Sequence, residues 1–518
     1  MDKTRTKQES TPTAPAIETD WAIMLYIAAD DTLANFAVES LKQLTKSFSM
    51  HSGAKGASVV VAAQFALPLD AAQPVSADAE ASDDTSKLRY IFKDGSGGNL
   101  TASLVHSLPA TTKVSGKAKL PGKANLSEKE ALKEFLQWGY RKCKAKQYAL
   151  ILWGHGPELL FQPTPPNPTG DSNSLYLTPM QLRGALEDCR PPGRSRLDIV
   201  GFDACSMSMV EMAFELQGLA DFMIASQDDV PDLSLPYDNL IELFRRDGNR
   251  PASLLKGGVE AYVSAYQDCI CNANTGMKPV TLSVLNLKEC GALESAVGTL
   301  ACALLKAKDE ACLADMLIAA RESSHDYAGG LYVDLHDFCT NLARQVKQLN
   351  AKDKREDIQR ACRSVRDALI KGTSNFILAN SSNKRGHGIS IYLPYLTDAQ
   401  YAEVSKPLVK GGHGTNGAKG YSDMLNGAAT EYLMCTRREL ILDTESYYER
   451  LEMAKATHWY DFITELWTRA LIKTVPAMLD YHYSAQQSWI NVSRKPINTA
   501  KVCPEKTSDL AGQLTGAA

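Results

Sequence analysis

Two apolar runs in this chain each end in one reactive side chain. The first is Ala149-Leu150-Ile151-Leu152-Trp153-Gly154-His155-Gly156. The second is Leu197-Asp198-Ile199-Val200-Gly201-Phe202-Asp203-Ala204-Cys205. A cysteine attacks as its thiolate, and at an ordinary pKa of about 8.5 only a few per cent is ionised at neutral pH. A histidine beside it can take the thiol proton and later protonate a departing amine. His155 and Cys205 are 50 residues apart, room for one crossover between neighbouring parallel strands, which lie about 4.8 Å apart. The pair therefore fits acyl transfer through a thioester. Glycine at 156 permits close approach of backbone, and its N–H together with that of Cys205 suits an oxyanion. A helix is expected to begin just after Cys205, with its N-terminal dipole lowering the pKa of the thiol.

The elements that must position this pair are legible as continuous apolar strands alternating with helical patterns. Strands are expected at Trp21–Ala29, Ser58–Phe65, Leu88–Phe92, Tyr148–Trp153, Leu197–Phe202 and Phe222–Ser226. Helices are expected over Leu33–Phe48, from a Ser127 cap to about Ala145, over Thr178–Cys189 and over Ser208–Leu216. Strands that are apolar throughout are buried on both faces, which indicates a mainly parallel sheet covered by helices. Ligands of such sheets bind at the carboxyl edge, where both reactive side chains sit. Beyond a strand at Val280–Leu287 the chain is more helical, with patterns near 288–306, 310–322, 335–349, 355–371, 420–436 and 456–474 and short strands at Phe376–Leu378 and Gly388–Leu393. The expected organisation is a polar segment 1–20, a core 21–290, an α-rich part 291–474 that packs on and completes it, and a polar tail 475–518.

Composition excludes several classes. The 518 residues carry 56 Lys+Arg against 60 Asp+Glu, a net charge of −4, so there is no basic footprint for nucleic acid. The longest uncharged, mostly apolar run, Ala57–Leu69, has 13 residues, too few to span a bilayer. The first twenty residues contain no apolar stretch, so a cytoplasmic protein without a signal peptide is expected. Twelve cysteines in 518 residues are too sparse for a disulfide scaffold and read as buried thiols. Cys269 and Cys271 lack the second pair that a zinc site needs. The glycine-rich stretch Lys410–Gly420 has Ala418 where a P-loop requires lysine. His387 and His413 read as loop residues, and the adjacent pairs His325-Asp326 and His336-Asp337 do not position a base by themselves. His458-Trp459-Tyr460 reads as a helix packing face.

The strand–His-Gly and strand–Ala-Cys blocks resemble the caspase-like (clan CD) cysteine peptidases. More narrowly, Gly201–Leu216 (GFDACSMSMVEMAFEL), Ala220–Pro231 and the opening Trp21–Leu33 resemble the clostripain family, peptidase family C11. The resemblance runs over roughly residues 20–470. It implies a caspase-like three-layer α/β sandwich and cleavage after basic residues, with Cys205 as nucleophile and His155 as its partner. It also implies that Asp203 lies in the pocket for the P1 side chain. A buried carboxylate there would attract Lys or Arg, and Arg offers a bidentate match. Asp228 and Asp229 read first as solvated loop carboxylates, with added acidity for that pocket as the other reading.

No cofactor is expected; calcium enters only through the resemblance, and no EF-hand loop is present. The expected partner is a peptide or protein with Lys or Arg at P1, and a protein regulator would restrain such an enzyme. The rival reading is a non-catalytic caspase-like scaffold that binds peptides or partner proteins. Relatives that activate by cutting between the His and Cys strands need a basic residue there. Residues 156–182 contain none, which leaves Arg194 and Arg196 as the usable sites, because Arg183 is expected in a helix and Arg190 precedes Pro191. The chain is therefore expected to act uncut or to be switched by a partner.

Overall fold

The computed structural model describes residues 16–28, 33–49, 56–67, 86–93, 128–156, 177–232, 234–271, 279–327, 331–370, 375–381, 386–393, 395, 448–467 and 469–470. Its frame is an eight-stranded sheet in the order β10-β7-β6-β5-β4-β1-β2-β3. These are β1 (Ile17–Ala28), β2 (Val59–Leu67), β3 (Ser86–Lys93), β4 (Cys143–Trp153), β5 (Leu197–Asp203), β6 (Ala220–Ala225), β7 (Ser283–Asn286) and β10 (Ile377–Asn380). The five central strands β2-β1-β4-β5-β6 are parallel. The outer strands β3, β7 and β10 run antiparallel to their neighbours.

Alternation along β1 shows why the strands are apolar throughout. Trp21, Ile23, Leu25 and Ile27 pack on one face against α1 (Ala34–Ser49) and two helices that follow β6. Ala22, Met24, Tyr26 and Ala28 pack on the other against α2 (Glu128–Lys142), α3 (Pro179–Asp188) and α4 (Val210–Glu215). The result is the expected three-layer α/β sandwich with a mainly parallel sheet. The helix α3 starts as the sequence dictates: Thr178 caps it in a capping box with Gln181, and proline occupies the first turn.

The second half adds α7 (Cys290–Lys306), α8 (Leu313–Glu322), α9 (Leu335–Gln345) and α10 (Lys352–Ile370) to the second face. It also supplies β10, which completes the edge of the main sheet, and a small sheet of β8 (Asp326–Tyr327), β9 (Tyr332–Asp334) and β11 (Ser390–Tyr392) in the order β11-β9-β8.

Several boundaries differ from the sequence reading. The strand β1 starts at Ile17, inside the segment read as a polar N-terminal stretch, because Ile17 pairs with Cys143. The same pairing ends α2 at Lys142: residues 143–145 extend β4 instead of the helix, the ladder to β1 outweighing local propensity. Two helices not anticipated from the sequence, α5 (Tyr237–Asp247) and α6 (Pro251–Cys271), cover the first face. The Ser127 cap, the stretches 410–420 and 420–436, and the tail 475–518 lie outside the described residues.

Candidate active site at the carboxyl ends of two central strands

Adjacent β4 and β5 run in register, with Trp153 opposite Asp203. His155 and Cys205 each follow that last pair by two residues, so both leave the sheet at the same height. The amide of Gly154 continues the ladder by donating to the Asp203 carbonyl at 3.2 Å. The chain then runs hard against Cys205. A Cβ placed on Gly156 would lie 2.2 Å from the Cys205 carbonyl oxygen, 3.0 Å from its nitrogen and 2.8 Å from Cε of Met207. Only glycine fits this crossing of two backbones.

Cys205 stands in a turn rather than on a helix. The helix α4 begins at Val210 and is six residues long, so the expected dipole at the thiol is not realised. Ser206, next in the chain, has φ +55° and donates its N–H to the Asp228 carbonyl at 3.1 Å. That left-handed turn points the chain back toward β6 and costs roughly 1–2 kcal/mol for a non-glycine residue. The Cys205 Sγ accepts the Val230 N–H at 3.3 Å. Burial pushes the thiol up to about 11; the Val230 N–H opposes this, while the charges of Asp229, Asp203 and Asp232 reinforce it. Asp229 and Asp232 are exposed and Asp228 is half-buried, so the loop carboxylates act on the thiol through space.

Asp203 is 3% exposed. Its Oδ2 accepts from the Ser234 hydroxyl, from the Leu235 N–H at 3.1 Å and from the Tyr237 hydroxyl at 2.9 Å. Its Oδ1 is buried and has no hydrogen-bond partner. Burial pushes this carboxyl up to about 6, although the three donors pull it down. Ser234 is fixed in turn: Trp153 Nε1 donates to its hydroxyl, Tyr266 donates to its carbonyl at 2.5 Å, and its φ is +69°. Ser234, Tyr237 and Tyr266 were not singled out from the sequence. Their only sequence signal is the 237–247 amphipathic spacing, with Tyr237, Ile241 and Phe244 on one buried face.

Of the other residues considered, His387 and His336 come together with Asp334 at the small sheet. His458 is exposed and pairs with Asp461 at 2.8 Å, while Trp459 is buried as a packing residue. His413 lies outside the described residues. The described cysteines carry no disulfide, and no described helix is long and apolar enough to cross a membrane.

Residues 25–467 match the clostripain family, Peptidase_C11. The chain belongs to the clostripain family. Clostripain of Hathewaya histolytica is 23% identical over 316 residues, which cover 52% of this chain and 57% of clostripain. The chain thus spans little more than half the length of that relative. Among solved structures, an inactive zymogen C11 protease from Parabacteroides distasonis is 16% identical with a TM-score of 0.43, covering 74% of this chain and 94% of that one. A secreted C11 cysteine protease from Bacteroides thetaiotaomicron in complex with an irreversible peptide inhibitor is 15% identical with a TM-score of 0.46, covering 85% and 99%.

Proposed function

We propose that this clostripain-family chain is a cysteine endopeptidase that cleaves after Arg or Lys. The observation that supports the reading is the close approach of Gly156 to the Cys205 backbone, just past the ends of two adjacent in-register strands. In the reaction, His155 takes the thiol proton and Cys205 Sγ bonds to the scissile carbonyl carbon. The N–H groups of Gly156 and Cys205 hold the oxyanion. The imidazolium then gives its proton to the amine as the C–N bond breaks. Water, deprotonated by His155, cleaves the thioester and returns the thiol.

Asp203 sets the preference at P1. Its orphaned Oδ1 is an acceptor without a donor, and a guanidinium or ammonium group supplies one. The same cation offsets a charge that raises the thiol's pKa, so a basic substrate favours the thiolate it needs. A neutral P1 side chain does neither. The supporting experiment compares peptides differing only at P1. Turnover of Arg and Lys substrates with little of Asp or Leu, together with labelling of Cys205 alone by an electrophilic probe bearing a basic P1 group, fits the proposal. Equal turnover of neutral P1 residues refutes the specificity, and no labelling of Cys205 refutes the nucleophile.

A further inference from the structure

Away from Cys205, the small sheet assembles a group that the protease reading does not use. Asp334 closes β9 and caps α9, accepting the Asp337 N–H on Oδ1 at 2.8 Å. Antiparallel pairing sets Ser390 of β11 opposite Asp334, which carries His387, three residues earlier, alongside it. His387 meets Asp334 twice, through its N–H on Oδ2 at 2.6 Å and through Nδ1 to Oδ1 at 3.1 Å. His336, in the first turn of α9, stacks on the His387 ring with centroids 4.0 Å apart and planes tilted by 31°. One donor atom from each of Asp334, His336 and His387 lies within 4.8 Å of the others. Asp334 is fully buried, and the His336 Nδ1 is buried without a hydrogen-bond partner.

We propose that Asp334, His336 and His387 bind a borderline divalent transition ion, with Zn2+ as the ion that fits. Two imidazoles and one carboxylate are the donor set of zinc and its neighbours, whereas calcium and magnesium take oxygen. Three protein ligands leave one position open for water. The orphaned His336 nitrogen gains a partner when the ion is present. The outer contacts are in place as well: Gln227 Nε2 donates to Asp334 Oδ2 at 3.1 Å, and Gln227 Oε1 accepts the Gly388 N–H at 2.7 Å. Gln227 adjoins Asp228, whose carbonyl holds Ser206, so the ion would brace the loop that carries the Val230 contact to Cys205.

The test uses the full chain with Cys205→Ala, which removes the reactive thiol as a competing ligand. It is titrated with Co2+ and followed by absorption, then challenged with Zn2+ and with Ca2+. One Co2+ per chain, ligand-field bands without thiolate charge transfer, and displacement by Zn2+ but not Ca2+ are expected. His336→Phe keeps a stacked ring but removes both nitrogens and should weaken binding by more than ~10-fold. His387→Gln gives the same readout should the first variant misfold, with near-ultraviolet circular dichroism as the check. No binding, thiolate charge transfer, or binding unchanged in a folded His336 or His387 variant overturns the proposal.

Discussion

Gly156→Ala probes the crossing of the two strand ends most directly. The added Cβ would lie 2.2 Å from the Cys205 carbonyl oxygen, where ordinary contact begins at 3.4 Å. Relief thus requires a separation of about 1.2 Å (3.4 − 2.2), and the nearest atom is backbone, which cannot rotate away. Overpacking of this kind costs roughly 1–3 kcal/mol of stability. The catalytic effect should be larger in proportion, since misplacing a reacting group by ~1 Å can cost ~100-fold. The control is Gly201→Ala, in the same strand as Asp203, where the Cβ meets Ile151 at an ordinary 3.5 Å. Thermal unfolding and hydrolysis of a fluorogenic peptide with Arg at P1 are measured for both. We expect Gly156→Ala to lose about 100-fold in kcat/KM with a lowered Tm, and Gly201→Ala to stay close to native in both. If Gly156→Ala keeps native activity and Tm, the close packing of Gly156 on Cys205 is wrong.

Cys205→Ala should abolish peptide hydrolysis with the fold intact, and His155→Ala should lose most of the rate; activity retained in Cys205→Ala refutes the thiol mechanism. Asp203→Asn should depress turnover of basic substrates far more than alkylation of Cys205, read by intact-mass kinetics; equal losses would remove Asp203 from substrate binding. Folding raises the Asp203 carboxyl from 3.8 to about 6, so its stabilising contribution is full below pH 3.8 and is lost as pH rises through 6. The total is about 3 kcal/mol, and Asp203→Asn should gain stability over native protein between pH 4 and 7; a difference that does not change with pH counts against this. Native and Cys205→Ala protein should have the same intact mass, because Arg194 is held by the Lys146 carbonyl and Asp198, and Arg196 by Asp221 at 2.6 Å. A cut at either arginine in native protein alone, with activity lost when both become Gln, would overturn the uncut form.

The apolar runs ending at Trp153 and Asp203 determined that both were buried parallel strands, because only strands covered on both faces lack alternation. Their matched endings, two residues before His155 and Cys205, marked them as neighbours that leave the sheet at the same height, as the Trp153–Asp203 register has it. The Thr178–Cys189 pattern likewise marked its helix, which Thr178 and Gln181 begin with a capping box, a contact between residues three apart. Local signals failed where distant contacts compete. Residues 143–145 joined a strand because β1 offered a ladder, and the helix expected at Cys205 began at Val210 because Ser206 turned back to Asp228. The shift of the thiol to about 11 and of Asp203 to about 6 depends on burial and on groups as far as 34 residues away in the chain, Tyr237 from Asp203 being the most distant. In sequence His387 reads as a loop residue and His336 as half of an adjacent His-Asp pair, and the two meet only because β9 and β11 pair. Strand identity is set by each segment's own side chains, whereas pKa values, cradles and ligand sets are set by which segments the fold brings within a few ångströms.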